Sequence, residues 1–366
     1  MQKNFSLLGI FFSVVLINCA SQKSSTIQAL SAIQLKPFGR YGLTTEKNIE
    51  MISSAVHFGF SFEGSECKIY ASLQDKNSHN YLQYEIDGVY KGRIKVAGNS
   101  TDLITLTAQG AGKHSVWIYK ATEAHTGPIF VQKVTARNIK PLSVKPAPLI
   151  EFIGNSITCG AAADPSEVPC GTGQYHDQHN AYMAYGPRVA RELGTNYILS
   201  SVSGIGVYRN WNSSGPTMPE VYEKLDFQAQ GSRSWNFSNY SPKIVSIALG
   251  TNDFSNGDGV KPRLPFDSKQ FVASYVGFIR LVRSKYPEAQ LALLSSAMVN
   301  GASREVLQNC LKSVKAEVDG IFPSFKPVEL FFFEPMQARG CGGHPNVEDH
   351  AILASQLKGF YRKLLK

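Results

Sequence analysis

The sequence predicts two domains of different class: a β-sandwich over residues 33–138 and a three-layer α/β domain with a mostly parallel sheet over residues 149–366. Three observations carry this. Period-two hydrophobic runs punctuated by Gly and Asp fill the first half, which shows no helix of ordinary length. Prolines at positions 141, 146 and 148 mark a linker over residues 139–148. Beyond it, apolar strands alternate with amphipathic helices. A chain of 366 residues is long enough for two cores, and 43% hydrophobic with 18% charged residues describes folded protein rather than disorder or a membrane bundle.

At the amino end, Lys3 precedes the apolar run Leu7 to Ile17, too short to span a bilayer and suited to an export signal over residues 1–19. Leu16-Ile17-Asn18-Cys19 has the form of a bacterial lipoprotein cleavage box with Cys19 as the lipidated residue. The expectation is an exported bacterial protein: periplasmic, anchored to the outer membrane, or secreted. Residues 20–32 read as a tether. With Cys19 set aside, five cysteines remain, an odd number that leaves at least one thiol outside any intramolecular disulfide. Cys159 and Cys170 bracket a small loop and are a candidate disulfide, with Cys341 as the rival partner.

In the first domain, Val56 to Phe62, Lys68 to Leu73, Tyr81 to Ile86, Leu103 to Thr107, His114 to Lys120 and Ile129 to Val134 each read as a strand. In the second, Leu149 to Ile153 is a buried strand that breaks at Gly154-Asn155-Ser156. A helix over Ala181 to Leu193, a strand over Tyr197 to Val202 and a strand over Lys243 to Leu249 follow. Helices over Phe266 to Lys285 and Ser303 to Val318 then alternate with strands over Ala289 to Leu294 and Val328 to Phe333. His344-Pro345-Asn346 opens a terminal helix over Val347 to Leu364.

Open α/β sheets place their sites just beyond the carboxyl ends of strands. Four short pieces stand there: Gly154-Asn155-Ser156, Ser203-Gly204-Ile205-Gly206, Gly250-Thr251-Asn252-Asp253 and Gly343-His344-Pro345-Asn346. Acyl transfer needs an activated hydroxyl, a base within reach and donors aimed at the developing oxyanion. Ser156 is the candidate nucleophile and His344 the candidate base. The backbone N–H groups of Ser156 and Gly204 and the Asn252 amide are candidate oxyanion donors. Asp253 is expected to tie down its loop. Tyr208, Trp211, Trp235 and Phe254 lie near strand ends, where exposed rings stack on sugars.

In this order the motifs resemble the SGNH (GDSL-type) hydrolases. More closely, they resemble carbohydrate esterase family 2, in which a β jelly-roll domain precedes the SGNH domain. Gly39-Arg40, Phe60 to Gly64, Asp87-Gly88 and Lys120-Ala121-Thr122-Glu123 add to the likeness in the first domain, and Val207-Tyr208-Arg209-Asn210 in the second. The resemblance implies removal of O-acetyl groups from xylan, glucomannan and similar plant polysaccharides, so acetylated polysaccharide or oligosaccharide is the expected partner.

Two departures matter. Asn155 stands where the family usually has Asp, and Gly342 and Gly343 replace the triad Asp and a Trp that would wall the site. A Ser156–His344 dyad then needs a backbone carbonyl, or Glu334, Glu348 or Asp349, to orient its imidazole. The rival reading is a carbohydrate-binding protein on a weakened esterase scaffold; a lipase or thioesterase is a third. Lys and Arg are scattered despite the formal charge of +9, so nucleic acid is not an expected partner. No Cys/His spacing of a zinc site, nucleotide loop or cofactor signature is present, so no cofactor is expected and catalysis should persist in a chelator.

Overall fold

The computed structural model describes Met1 and residues 26–98 and 102–366. The export signal and the Cys19 lipidation site lie outside the described residues. No helix among the described residues is long and apolar enough to cross a membrane.

Among the described residues, the first domain is an antiparallel sheet structure of nine strands: β1 (Ile27–Ser31), β2 (Tyr41–Leu43), β3 (Ile49–Met51), β4 (His57–Ser72), β5 (His79–Ile86), β6 (Val89–Ala97), β7 (Asp102–Thr107), β8 (Lys113–Lys120) and β9 (Ile129–Leu142). Strands β4 and β9 are its spine. β4 pairs with β8 through His57 to Glu63 and with β7 through Glu66 to Ala71, so its two halves belong to different neighbours. Alternate residues of β4, Phe58, Phe60 and Phe62, enter one core with Ile69, Val116, Ile118 and Val134. Two expectations shift here. Ile27–Ser31 is a strand paired with β9, not tether, and β9 runs on through Leu142 into the expected linker.

The second domain builds one parallel sheet from β10 (Leu149–Gly154), β11 (Asn196–Ser201), β12 (Ile244–Ala248), β13 (Gln290–Leu294) and β14 (Glu329–Phe331), in the order β11-β10-β12-β13-β14. The helices are α1 (Ser156–Cys159), α2 (Tyr185–Leu193), α3 (Met218–Val221), α4 (Thr251–Phe254), α5 (Ser268–Lys285), α6 (Ala302–Ile321) and α7 (Val347–Leu364). Central β10 is buried on both faces, which is why it reads as a continuous apolar run. Ile150 and Phe152 pack with Tyr185 and Val189 of α2 and Leu353 and Tyr361 of α7. Ile153, on the opposite face, joins Phe271 and Ile279 of α5 and Leu311 of α6. The expected helix over Ala181 to Leu193 begins only at Tyr185, because Ala181 to Ala184 are taken into the domain contact.

The two domains share buried polar contacts. The loop 164–183 is gripped by the first domain: Ala181 donates its N–H to the Ala121 carbonyl, and Gln83 accepts the Tyr182 N–H at 3.0 Å. In the other direction, Arg40 leaves the first domain and is wholly buried in the second. Its Nε lies 3.0 Å from Ser200 Oγ, and its Nη1 donates to the carbonyls of Tyr222 and Lys224 at 2.9 and 3.0 Å. β11 is added on one side of β10 and β12 on the other, so the strand order reverses at β10, and the site forms at the carboxyl ends of the strands there.

Candidate active site

Ser156 is placed by a tight turn at the end of β10. A Cβ on Gly154 would lie 2.0 Å from Thr158 Oγ1, so only glycine lets the chain fold back this closely. Asn155 then caps α1, its side-chain oxygen accepting the Ile157 N–H at 3.1 Å. Asn serves this cap without the charge of Asp.

His344 arrives from the far end of the chain. Its Nε2 lies 2.9 Å from Ser156 Oγ, and its Nδ1 lies 3.2 Å from the Cys341 carbonyl. The carbonyl can only accept, so Nδ1 carries the proton and Nε2 presents a lone pair to the Ser156 hydroxyl. A backbone carbonyl, and not a carboxylate, thus holds the His344 Nδ1. The three local carboxylates are engaged elsewhere: Asp349 with the Arg339 side chain and Asn346 backbone, Glu334 with Arg304 at 3.9 Å, and Glu348 exposed to solvent.

Cys341 is also half of the disulfide, bonded to Cys170. This corrects the Cys159–Cys170 expectation. Cys159 faces inward from α1 instead, buried with its Sγ 3.1 Å from Ser201 Oγ. The bond therefore ties loop 164–183 to the residue whose carbonyl orients His344.

Gly204 has φ of +75°, a left-handed turn after β11 that brings it to the cleft wall. Asn252 at the start of α4 uses one amide hydrogen on the Ile205 carbonyl at 2.8 Å. The second hydrogen is left for a ligand. Ser156, Tyr175, Ser203, Gly204, Trp211, Asn252, Gly342 and His344 line one open cleft of about 540 Å³. Asp253 holds the adjoining loop, accepting the N–H groups of Val207, Tyr208 and Arg209 at 2.9 to 3.2 Å.

Of the four aromatic candidates, only Trp211 lines this cleft, 45% exposed. Trp235 is a correction: it is buried against the Arg40 guanidinium and stacks on Tyr240, because a buried cation needs ring faces around it. Phe254 stacks on Phe266, and Tyr208 packs on the same ring while its hydroxyl accepts the Asp267 N–H at 3.1 Å. Both therefore brace the loop beside the cleft.

Sequence reasoning missed Tyr175 and Glu123. Tyr175 walls the cleft, its hydroxyl 3.1 Å from Ser203 Oγ. Glu123 comes from the first domain and is buried beneath Ser203, accepting its N–H at 2.5 Å while the other oxygen faces His179 Nε2 at 3.4 Å. Burial would push the Glu123 carboxyl up, but His179 and the Ser203 N–H hold it well below the usual carboxylate range. A fixed negative charge from one domain thus positions the turn that carries Gly204 in the other. Its one signal in the sequence is the Lys120 to Glu123 stretch.

Burial lowers the His344 pKa from its ordinary 6.5, opposed by the Cys341 carbonyl. A general base at His344 would work as neutral imidazole, so activity should hold as pH falls past 6.5 and decline only through the lowered pKa. A pH profile of kcat/KM checks this; an acid limb centred above 6.5 contradicts it.

With this geometry in view, residues 152–350 match the family model GDSL-like Lipase/Acylhydrolase. The chain belongs to that family. Residues 38–146 match the Carbohydrate esterase 2 N-terminal model, so this GDSL-like protein has the two-part organisation of carbohydrate esterase family 2. It is 29% identical over 309 residues to an acetylxylan esterase / glucomannan deacetylase of Cellvibrio japonicus, covering 83% of this chain and 82% of that protein. It is 28% identical over 334 residues to the cellulase/esterase CelE of Acetivibrio thermocellus, covering 87% of this chain but 38% of that longer protein. A family two carbohydrate esterase from Clostridium thermocellum, solved with cellohexaose, superposes with a TM-score of 0.78 at 25% identity, covering 92% of this chain and 99% of that one.

Proposed function

We propose that the chain is an exported serine esterase that removes O-acetyl groups from plant cell-wall polysaccharide, xylan, glucomannan or their oligosaccharides. The observation that carries this reading is Ser156 Oγ at 2.9 Å from a His344 ring whose other nitrogen is fixed on a carbonyl. An acetyl group has one small carbonyl to attack, and a sugar ring can rest on Trp211 at the rim.

Ser156 Oγ attacks the acetyl carbonyl while His344 Nε2 takes the hydroxyl proton. The tetrahedral oxyanion accepts hydrogen bonds from the N–H groups of Ser156 and Gly204 and from Asn252 Nδ2. His344 returns the proton to the departing sugar oxygen, leaving an acetyl-serine. Water, deprotonated by the same nitrogen, then releases acetate and restores Ser156. The developing imidazolium meets the Cys341 carbonyl dipole instead of a carboxylate, with the charge of Glu123 nearby also favouring it. The first domain serves as a jelly-roll scaffold supplying Glu123, and Cys19 as a lipid anchor in the periplasm or at the outer membrane.

Release of acetate from acetylated polysaccharide by the purified chain tests this reading. The rim also makes a prediction about acyl size. Gly343 has open space where a Cβ would stand, and Gly342 lines the cleft without a side chain. Propionyl and butyryl esters of one alcohol should therefore be turned over within about tenfold of the acetyl ester, whereas a closed pocket that rejects the extra carbon would impose roughly 1–3 kcal/mol, or about 10- to 200-fold, per methylene. Strict acetyl preference in a chain-length series would count against an open rim.

A further inference from the structure

Away from the cleft, the domain contact holds a cluster of potential ligands that acyl transfer does not use. His79 opens β5 in the first domain, and His176 and Asp177 are adjacent in a short turn of loop 164–183. One ligand atom from each lies within 4.8 Å of the others. His79 Nε2 is hydrogen-bonded to Asp177 Oδ1. We propose that His79, His176 and Asp177 bind a divalent transition-metal ion of the zinc type, which clamps the sheet domain to the α/β domain.

The surroundings fit such a site. His176 donates Nε2–H to the His79 carbonyl at 2.9 Å, which leaves its Nδ1 as a lone pair. Metal-bound histidines are commonly fixed in this way, one ring nitrogen on a carbonyl and the other on the ion. Asp177 Oδ2 is held by the Gln174 N–H at 2.8 Å, and Oδ1 is directed at His79. Two imidazoles and one carboxylate suit zinc, nickel or copper rather than magnesium or calcium. Ligand bonds of about 2.0–2.2 Å place tetrahedral donors roughly 3.4 Å apart, so a ligand set already within 4.8 Å needs only a small adjustment.

The charged and titratable neighbours are accounted for. Arg93 donates to the Asp177 carbonyl, and Glu167 balances its charge from 3.1 Å. The Tyr81 phenol lies against Asp177. The His79 side chain keeps 14% of its surface exposed, giving an ion an entry route from solvent. Such an ion would add stability without taking part in ester hydrolysis.

The test uses the full chain, stripped with a chelator and then titrated with zinc, followed by calorimetry and thermal melting. One saturable zinc site is expected, with Tm raised by roughly 3–6 °C at a hundredfold excess over Kd. His79→Gln keeps a hydrogen-bond donor for Asp177 and should melt like the stripped wild type, yet lose the zinc-dependent rise. His176→Gln is an independent second variant, and cobalt should give a tetrahedral visible spectrum in wild type alone. Absence of saturable binding, or an equal zinc-dependent rise in both variants, overturns the proposal.

Discussion

His344→Ala is expected to lower turnover of an acetyl ester by about 10⁴- to 10⁶-fold, because removing either member of a serine–histidine pair disables the whole unit. Its Nε2 lies 2.9 Å from Ser156 Oγ as the proposed base, and the proposed oxyanion donors, retained by the variant, should leave a residual rate. KM should change little, since the wall formed by Trp211 and Tyr175 is untouched. Steady-state kinetics on a chromogenic acetate ester, with folding checked by melting, measure the effect. A loss below tenfold would mean that another group takes the proton.

Arg40→Ala is expected to cost about 3–5 kcal/mol of stability, because truncating one partner of a buried pair strands the other charge. Its Nη2 lies 3.7 Å from Glu151 Oε1, and both side chains are fully shielded from water. The guanidinium also lies 4.4 Å from the Phe227 ring centre, its Nη1 donates to the carbonyls of Tyr222 and Lys224, and its Nε donates to Ser200 Oγ. All these partners lose their donor together. Denaturant unfolding measures the cost; a value under about 1 kcal/mol would show that water enters and solvates Glu151. Replacing Arg40 and Glu151 together by apolar residues should recover part of the loss.

The features that were legible in the sequence are those fixed by local pattern. The apolar run ending at Gly154-Asn155-Ser156 marks a strand and a sharp turn, and residues 347–364 carry a helical pattern with Asn346 as its cap. Ser156, Gly204, Asn252 and His344 meet because each follows a strand of one parallel sheet, a relation that topology rules supply. Features fixed by distant partners were not legible. Trp235 and Trp211 are the same residue type in similar loops, and only the insertion of Arg40 decides that Trp235 is interior. Cys170 joins Cys341 across 171 residues, a pairing that local spacing does not encode. Glu123 reaches Ser203 across 80 residues and a domain boundary, so its role emerges only when the two domains are seen together.

The central claim is that Ser156 and His344 form a working esterase for acetylated polysaccharide without a triad acid. The most direct measurement is acetate release from acetylated xylan and acetylated glucomannan by wild type and Ser156→Ala, at matched concentrations of folded protein. Release from at least one polymer by wild type, with none above background from Ser156→Ala, is the predicted result. No release from either polymer by the folded wild type, or equal release by the variant, would contradict the account.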